Sequence, residues 1–379
     1  MTAPVATAKE LAESLGRASA AKQTVVIRGA GTKSDWPRRS RAAHLMISTL
    51  GLNRLLAHQH GDLTATIEAG ATLKEVNASL ARHGQWLPID PSFADTATIG
   101  GILATNDAGP LRHRYGTPRD QVIGIRVATA DGLIAKAGGQ VVKNVAGYDL
   151  SKLVTGSFGT LVAILSATFK LSPRLSASAT LVVTSSDEQH AGEIVREVMA
   201  SQLEPVTLEL VARPSRGAQI AMRFASVQAA VDAQMEHART LATLEGCTTS
   251  APPVADPDSI WRSPGTILRA NWLPASTANV LAALAALGGI KREAREPGCT
   301  TGDAEIAGRA AVGAGLIRIG GDEAAQARGV EQLHASGAIG NIVVLRGADA
   351  LKERWGVRSA VPELTQSLQR AFDPQGILS

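Results

Sequence analysis

The feature that most constrains this chain is a concentration of glycine and small polar residues between positions 90 and 164, together with a short turn at 28–34. The motifs are Asp90-Pro91-Ser92, Thr98-Ile99-Gly100-Gly101, Thr105-Asn106-Asp107-Ala108-Gly109 and Arg114-Tyr115-Gly116. They continue with Gly147-Tyr148-Asp149-Leu150 and Gly156-Ser157-Phe158-Gly159-Thr160-Leu161. Short apolar strands separate them. Glycine removes the side chain that would hold a ligand away from the main chain. A chain built this way can bring backbone against a large, flat, phosphate-bearing cofactor along much of its length.

The turn at 28–34 follows a short apolar strand, Thr24-Val25-Val26-Ile27, and reads Arg28-Gly29-Ala30-Gly31-Thr32-Lys33. A dinucleotide fingerprint would need a third glycine three residues on, a helix opening at once and an acidic residue about 20 residues later. Position 34 is serine, and Asp35-Trp36-Pro37-Arg38-Arg39 has no helical apolar period. The glycine–lysine pair of a P-loop is absent as well. The alternative is a strand–turn–strand whose successive N–H groups form a nest for a pyrophosphate, with Thr32 and Ser34 as added hydroxyl donors. Taken alone, such a turn is more often a turn without a ligand, and its companion motifs raise the functional reading.

The remaining pattern divides the chain. Residues 7–21 predict a helix, and Leu63–Ala69 alternates like a half-buried strand. Thr72 and Glu75 form a capping box for a helix that Gly84 ends. Asp131-Gly132 joins two strands, Val122–Thr129 and Leu133–Ala135, as a hairpin. Asp149 caps a short helix, and Thr160–Leu171 reads as a long apolar strand. From about 174 onward strands and helices alternate without glycine-rich loops, interrupted by a Pro-rich gap at 252–264. The expected organisation is α+β, with a first domain at 1–172, a second at 173–345 and a C-terminal segment at 346–379 whose helix returns to the first domain.

Composition excludes several functions. The chain has 379 residues, with 38 basic and 34 acidic side chains, and a formal charge of +4 spread over that length is no nucleic-acid footprint. The run Arg38-Arg39-Ser40-Arg41 reads as a solvated loop. Two cysteines, Cys247 and Cys299, cannot ligate an iron–sulfur cluster and have no zinc spacing, so no metal site is expected. The Ala-rich first twenty residues lack a signal-type apolar run, and Val280–Leu287 is too short to cross a bilayer. A cytoplasmic chain without direct membrane insertion is expected, any membrane contact being made through partners.

Five motifs in this order resemble the FAD-binding domain of vanillyl-alcohol-oxidase-type FAD-linked oxidases, and within them the 2-hydroxy-acid dehydrogenase branch. They are Arg28-Gly29-Ala30-Gly31-Thr32, Thr98-Ile99-Gly100-Gly101, Arg114-Tyr115-Gly116, Gly147-Tyr148-Asp149-Leu150 and the terminal Phe372-Asp373-Pro374-Gln375-Gly376. Val141-Val142-Lys143-Asn144-Val145-Ala146 adds to the fourth. The resemblance implies a two-subdomain FAD-binding domain and a smaller α+β cap domain over the flavin. It implies noncovalent FAD, with Arg28, Gly29, Ala30, Gly31, Thr32 and Lys33 around the pyrophosphate. Pro91, Ser92, Thr98, Ile99, Gly100 and Gly101 would line the flavin and ribityl region. Asn106, Gly109, Tyr115 and Gly116 would shape the loop over the ring, and Gly159 and Ile164 would meet the adenine end.

The departures carry equal weight. The branch places a His-rich metal and base motif in its cap; this chain has only His190, His237 and His334 there, scattered. Phe158 stands where the family usually has Glu. No catalytic residue is assigned, although Arg213, Arg223, Arg269, Arg318 and Arg346 offer cations for a carboxylate. His113 is the nearest candidate for flavin attachment, without a supporting motif. The implied role is the FAD-binding subunit of a multi-subunit 2-hydroxy-acid (glycolate) dehydrogenase, beside a related FAD-linked catalytic subunit and an iron–sulfur subunit. A self-sufficient FAD-dependent dehydrogenase of another small hydroxy acid or alcohol, and a non-catalytic scaffold subunit, remain as alternatives.

Overall fold

The computed structural model describes residues 4–36, 43–139, 149–213, 217–242, 247–250, 258–288, 303–357 and 362–378. The motif at 141–148, the basic run at 38–41 and Cys299 lie outside them. The chain divides into two units of nearly equal length. The first comprises residues 1–109, 115–174 and 358–379; the second comprises 110–114 and 175–357.

In chain order the first stretch contains α1 (Ala8–Ala20), β1 (Val25–Arg28), β2 (Leu45–Ser48), β3 (Leu55–Gln59), β4 (Thr64–Glu68), α2 (Leu73–Leu80) and β5 (Gln85–Trp86). Next come α3 (Ile99–Thr105), the single turns α4 (Arg112–Tyr115) and α5 (Pro118–Gln121), β6 (Val122–Ala128), β7 (Ile134–Gly138), α6 (Leu150–Val154), β8 (Ala163–Lys170) and β9 (Ser172–Pro173). Local chemistry sets the ends of several elements. Thr7 accepts the Glu10 N–H and opens α1; Thr72 and Glu75 cap each other's backbone at α2; Asp149 accepts the Lys152 N–H. Gly132 takes φ +85° in the β6–β7 hairpin, as its turn requires.

A five-stranded antiparallel sheet in the order β3-β4-β8-β6-β7 forms the centre of this unit, and β1 pairs with β2 in parallel. Seven of the eight residues of β8 are buried, Ser166 and Thr168 among them, which is why the strand carries no charge before Lys170. One core lies around Ile67, Leu80, Ile99, Leu103, Val127 and Phe169; another joins Leu11 and Leu15 of α1 to Val25, Ile47, Leu165 and Ile377.

The second unit holds β10 (Ala177–Ser185), α7 (Glu188–Ala200), β11 (Thr207–Arg213), β12 (Gly217–Ser226), α8 (Gln228–Leu241), β13 (Cys247–Ser250) and α9 (Ser259–Arg262). It continues with β14 (Thr266–Asn271), α10 (Thr277–Gly288), β15 (Ala304–Arg309), β16 (Ala314–Ile319), α11 (Glu323–Ala335), β17 (Asn341–Arg346) and α12 (Asp349–Trp355). Its eight strands are all antiparallel, in the order β13-β10-β12-β11-β15-β16-β14-β17. Leu208, Leu210, Ile220, Met222, Phe224, Ile306 and Ile317 point to one face and pack with Ile194, Val198, Val231, Leu281, Leu284 and Leu333 from the helices.

The C-terminal segment at 346–379 holds two helices: α12 in the second unit and α13 (Pro362–Phe372), whose Leu368 and Phe372 pack on the first unit's core. The Gly100-Gly101 pair is not loop but the first turn of α3. Thr98 is its N-cap, and Ile99, Ile102 and Leu103 are buried enough to hold a helix that propensity alone disfavours.

Candidate functional site

The turn after β1 leaves donors without acceptors. The N–H groups of Gly29, Ala30, Gly31 and Thr32 have no hydrogen-bond partner among the described residues, while those of Ser34 and Trp36 bond back to Gly31 and Lys33. All four residues are half-buried. Gly31 takes φ +77°, and a Cβ there would run into the guanidinium of Arg28. That guanidinium makes no ion pair or hydrogen bond among the described residues. Four donors without partners beside an unpaired cation are groups of the kind that a phosphate would accept from and pair with.

Neighbouring loops fasten onto this turn. A Cβ on Gly29 would collide with the Thr98 hydroxyl, so Gly29 serves close packing of the turn on the start of α3. Thr98 is 2% exposed, and its hydroxyl makes no hydrogen bond among the described residues. The Lys33 ammonium turns inward, donating to the Ser92 carbonyl at 3.1 Å and lying 3.5 Å from the Asp107 carboxylate, which accepts the Ser92 N–H at 2.7 Å. This three-way link ties the turn to Pro91-Ser92 and to the segment after α3. Gly109 packs where a Cβ would strike the Asp90 carbonyl, and Gly100 packs on Ala69. Several glycines are therefore required by contact between loops, whereas Gly159 (φ +79°) has open space where its Cβ would be.

The other expected residues join through α3. Asn106 is its left-handed cap (φ 47°), and its side-chain oxygen accepts the Arg119 N–H at 3.2 Å. The Gly156 and Phe158 N–H groups donate to Leu103 and Ala104 carbonyls at 2.9 and 2.8 Å, which brings the loop before Gly159 to the same helix end. Tyr115 stands edge-on to Trp86 at 5.6 Å, and Gly116 (φ +80°) lies against Asp120. Ile164 is a buried β8 residue paired with Val127. A cavity of about 480 Å³ lies beside Thr160, lined by Gln366, Gln369, Arg370, Asp373 and Gly376. The sequence reading missed Asp107, whose only signal was an acid in an otherwise neutral loop.

Of the five cations considered in the second unit, three are committed to structure. Arg213 meets Glu305 at 2.6 Å; Arg318 meets Asp303 at 2.5 Å; Arg346 donates to the Trp261, Ser263 and Gly265 carbonyls. Burial pushes the His113 imidazole below its usual range, with Arg114 adding to the effect. Among the described residues no three His, Cys, Asp or Glu side chains stand at metal-ligating positions.

Comparison with known proteins accords with this donor set. Residues 2–138 match the FAD binding domain family. Glycolate oxidase subunit GlcD of Bacillus subtilis is 34% identical over 191 residues, covering 50% of this chain and 41% of that protein. Glycolate oxidase subunit GlcE of Escherichia coli is 34% identical over 199 residues, covering 52% and 55%. A D-lactate dehydrogenase of Archaeoglobus fulgidus is 35% identical over 187 residues, covering 49% and 42%. The chain thus spans about half the length of the curated relatives it matches. Among solved structures, an alkyldihydroxyacetonephosphate synthase superposes with a TM-score of 0.75 at 16% identity, over 100% of this chain and 77% of that one. The glucooligosaccharide oxidase of Acremonium strictum gives 0.67 at 15% identity, over 98% and 89%. Residues 2–138 are therefore similar to the FAD binding domain family, in a chain with the fold shared by these two solved structures.

Proposed function

We propose that this chain holds FAD noncovalently and serves as the flavin-binding subunit of a multi-subunit dehydrogenase of small 2-hydroxy acids such as glycolate. The observation that carries the reading is the run of four partnerless N–H groups at Gly29–Thr32 beside the unpaired Arg28 guanidinium. Bound FAD supplies a two-electron acceptor. The residues of this chain bind and orient it. The 29–32 turn and Arg28 hold the pyrophosphate, and Lys33 fixes the turn through Ser92 and Asp107. Thr98 to Gly101 and Pro91-Ser92 face the ribityl and flavin portion. Asn106, Gly109, Tyr115 and Gly116 shape the neighbouring loop, and Gly159 with the Ile164 main chain takes the adenosine end.

The subunit role draws support from relatives that are themselves named as subunits of glycolate oxidase, and the substrate class from those and the D-lactate dehydrogenase. The inferred partners are a related FAD-linked catalytic subunit and an iron–sulfur subunit; the cytoplasm is the inferred location. No helix of the described residues is long and apolar enough to cross a membrane.

The test is the visible spectrum of the purified chain, before and after anaerobic glycolate. Flavin bands near about 370 and 450 nm that persist with glycolate are the expected result. Bleaching without a partner would move the reading to a self-sufficient dehydrogenase. A colourless chain that refuses added FAD would overturn it.

A further inference from the structure

The face of the eight-stranded sheet opposite Leu208 and Leu210 carries a group of side chains that no motif identifies. Leu208 and Leu210 of β11 enter the helix-covered core, so Thr207 and Glu209 point to the opposite face. The same alternation puts Arg223 of β12 and Arg309 of β15 on that face. Register makes them neighbours: Glu209 pairs with Arg309 across one side of β11, and Thr207 pairs with Arg223 across the other. Directly opposed side chains start about 5 Å apart and diagonal ones about 7–8 Å, within reach of arginine.

Their partners distinguish these cations from the rest of the sheet. Arg213 and Arg318 are held by Glu305 and Asp303. Arg223 and Arg309 have neither an ion pair nor a side-chain hydrogen bond among the described residues. Glu209 approaches them without closing a salt bridge, and its carboxylate accepts the Thr207 hydroxyl at 3.3 Å. Two unpaired guanidiniums on the strands flanking a half-buried carboxyl make an incomplete charge arrangement. One small anion completes it.

We propose that Arg309, Arg223 and Glu209 form a binding site for a small carboxylate, whose carboxyl group lies on the two guanidiniums and whose adjacent oxygen meets Glu209. A 2-hydroxy or 2-oxo acid has that shape. Its identification as such rests on the proposed function, whereas the anion site itself does not.

Binding is coupled to a proton. Burial pushes the Glu209 carboxyl above its usual range, against the pull of the Thr207 hydroxyl, Arg309 and Arg223. The charged groups further along the same face, Arg213 and Glu305, already neutralise each other. An anion on Arg309 and Arg223 cancels their pull and repels an ionised Glu209, so the carboxyl takes up a proton as the ligand binds. Affinity falls as pH rises through the Glu209 pKa.

Oxalate, a non-oxidisable two-carboxylate probe, is titrated calorimetrically into the full chain in mildly acidic and mildly alkaline buffer, with the flavin content of each sample recorded. The expected result is tighter binding in acid, with up to about one proton taken up per oxalate. Arg309→Lys and Arg223→Met should each weaken binding by about tenfold or more, from loss of a charge-assisted bidentate contact. Glu209→Gln should bind oxalate equally at both pH values. Wild-type affinity in both arginine variants, or wild-type pH dependence in Glu209→Gln, overturns the site. So does a wild-type chain that retains flavin but gives no oxalate heat. Oxalate binding by a chain that refuses FAD leaves the site standing and sinks only the flavin reading.

Discussion

Asp107→Asn should loosen the first unit and with it the candidate pyrophosphate turn. The Lys33 and Asp107 side chains are 5% and 9% exposed, with the ammonium 3.5 Å from the carboxylate. The same carboxylate oxygen accepts the Ser92 N–H at 2.7 Å, and the Ser92 carbonyl accepts from Lys33 at 3.1 Å. Asparagine keeps the shape and removes the charge. Breaking one side of a buried ion pair costs about 3–5 kcal/mol, because the remaining charge loses its counter-charge. Here Lys33 keeps the Ser92 carbonyl and lies 5.7 Å from the centre of the Trp36 ring, so the lower end applies, about 3 kcal/mol.

For a unit of this size about 3 kcal/mol lowers the melting temperature by about 6–12 °C. The chain has two units, so the measurement is differential scanning calorimetry with the first unit's transition fitted separately. FAD content of the same variant should fall with it. Lys33→Met/Asp107→Leu should recover much of the loss, giving a coupling of at least about 1 kcal/mol in the double-mutant cycle. A shift of less than about 1 °C in Asp107→Asn, or strictly additive single variants, would refute the assignment of this pair as the turn's tether.

Other perturbations separate cofactor binding from stability. Gly31→Ala places a Cβ in a left-handed backbone against Arg28, at a backbone cost of about 1–2 kcal/mol; flavin retention should drop while circular dichroism is unchanged, and normal flavin content would sink the pyrophosphate assignment. The Arg318 guanidinium holds the Asp303 carboxyl below its usual range, ahead of the opposing effect of burial. A depressed carboxyl pKa contributes stability above the unfolded value of about 3.9 and loses it as pH falls through the folded value. The second unit's melting temperature should therefore fall below about pH 4, and Asp303→Asn should flatten that dependence. Asp187 accepts the His190 N–H at 2.9 Å as the N-cap of α7, so Asp187→Ala should lower the urea midpoint of the second unit, and an unchanged midpoint would deny the cap its role. Phe224→Ala, deep in the same unit's core, should cost about 3–5 kcal/mol in that assay.

Local features were legible in the sequence where short-range chemistry decides them. The Thr72–Glu75 capping box, the Asp149 cap and the Asp131-Gly132 hairpin each depend on contacts within a few residues. The strands β2, β3, β13, β14 and β15 were not recognised. They are short, and each exists through its hydrogen-bonded neighbour rather than its own pattern. Gly100-Gly101 misled for the same reason: helix α3 is stabilised by burying Ile99, Ile102 and Leu103, an effect of packing that residue propensity opposes.

The candidate site divides in the same way. Its glycine-rich segments and their order were present in the sequence, because a backbone that must approach a ligand or another loop has few other residues to use. Their division of labour was not. Gly29, Gly100 and Gly109 turn out to admit Thr98, Ala69 and Asp90, contacts 31 to 69 residues apart in sequence for the first two and 19 for the third. Lys33 reads as a phosphate ligand beside a glycine turn, and only the fold reveals that its ammonium points at Ser92 and Asp107. Glu209, Arg223 and Arg309 lie on three strands and share no motif. What the sequence determined by itself is the set of local structures and the kind of ligand its loops can approach. Which charges are neutralised by partners was decided by strand register and burial, because pairing depends on distances that only the tertiary structure creates.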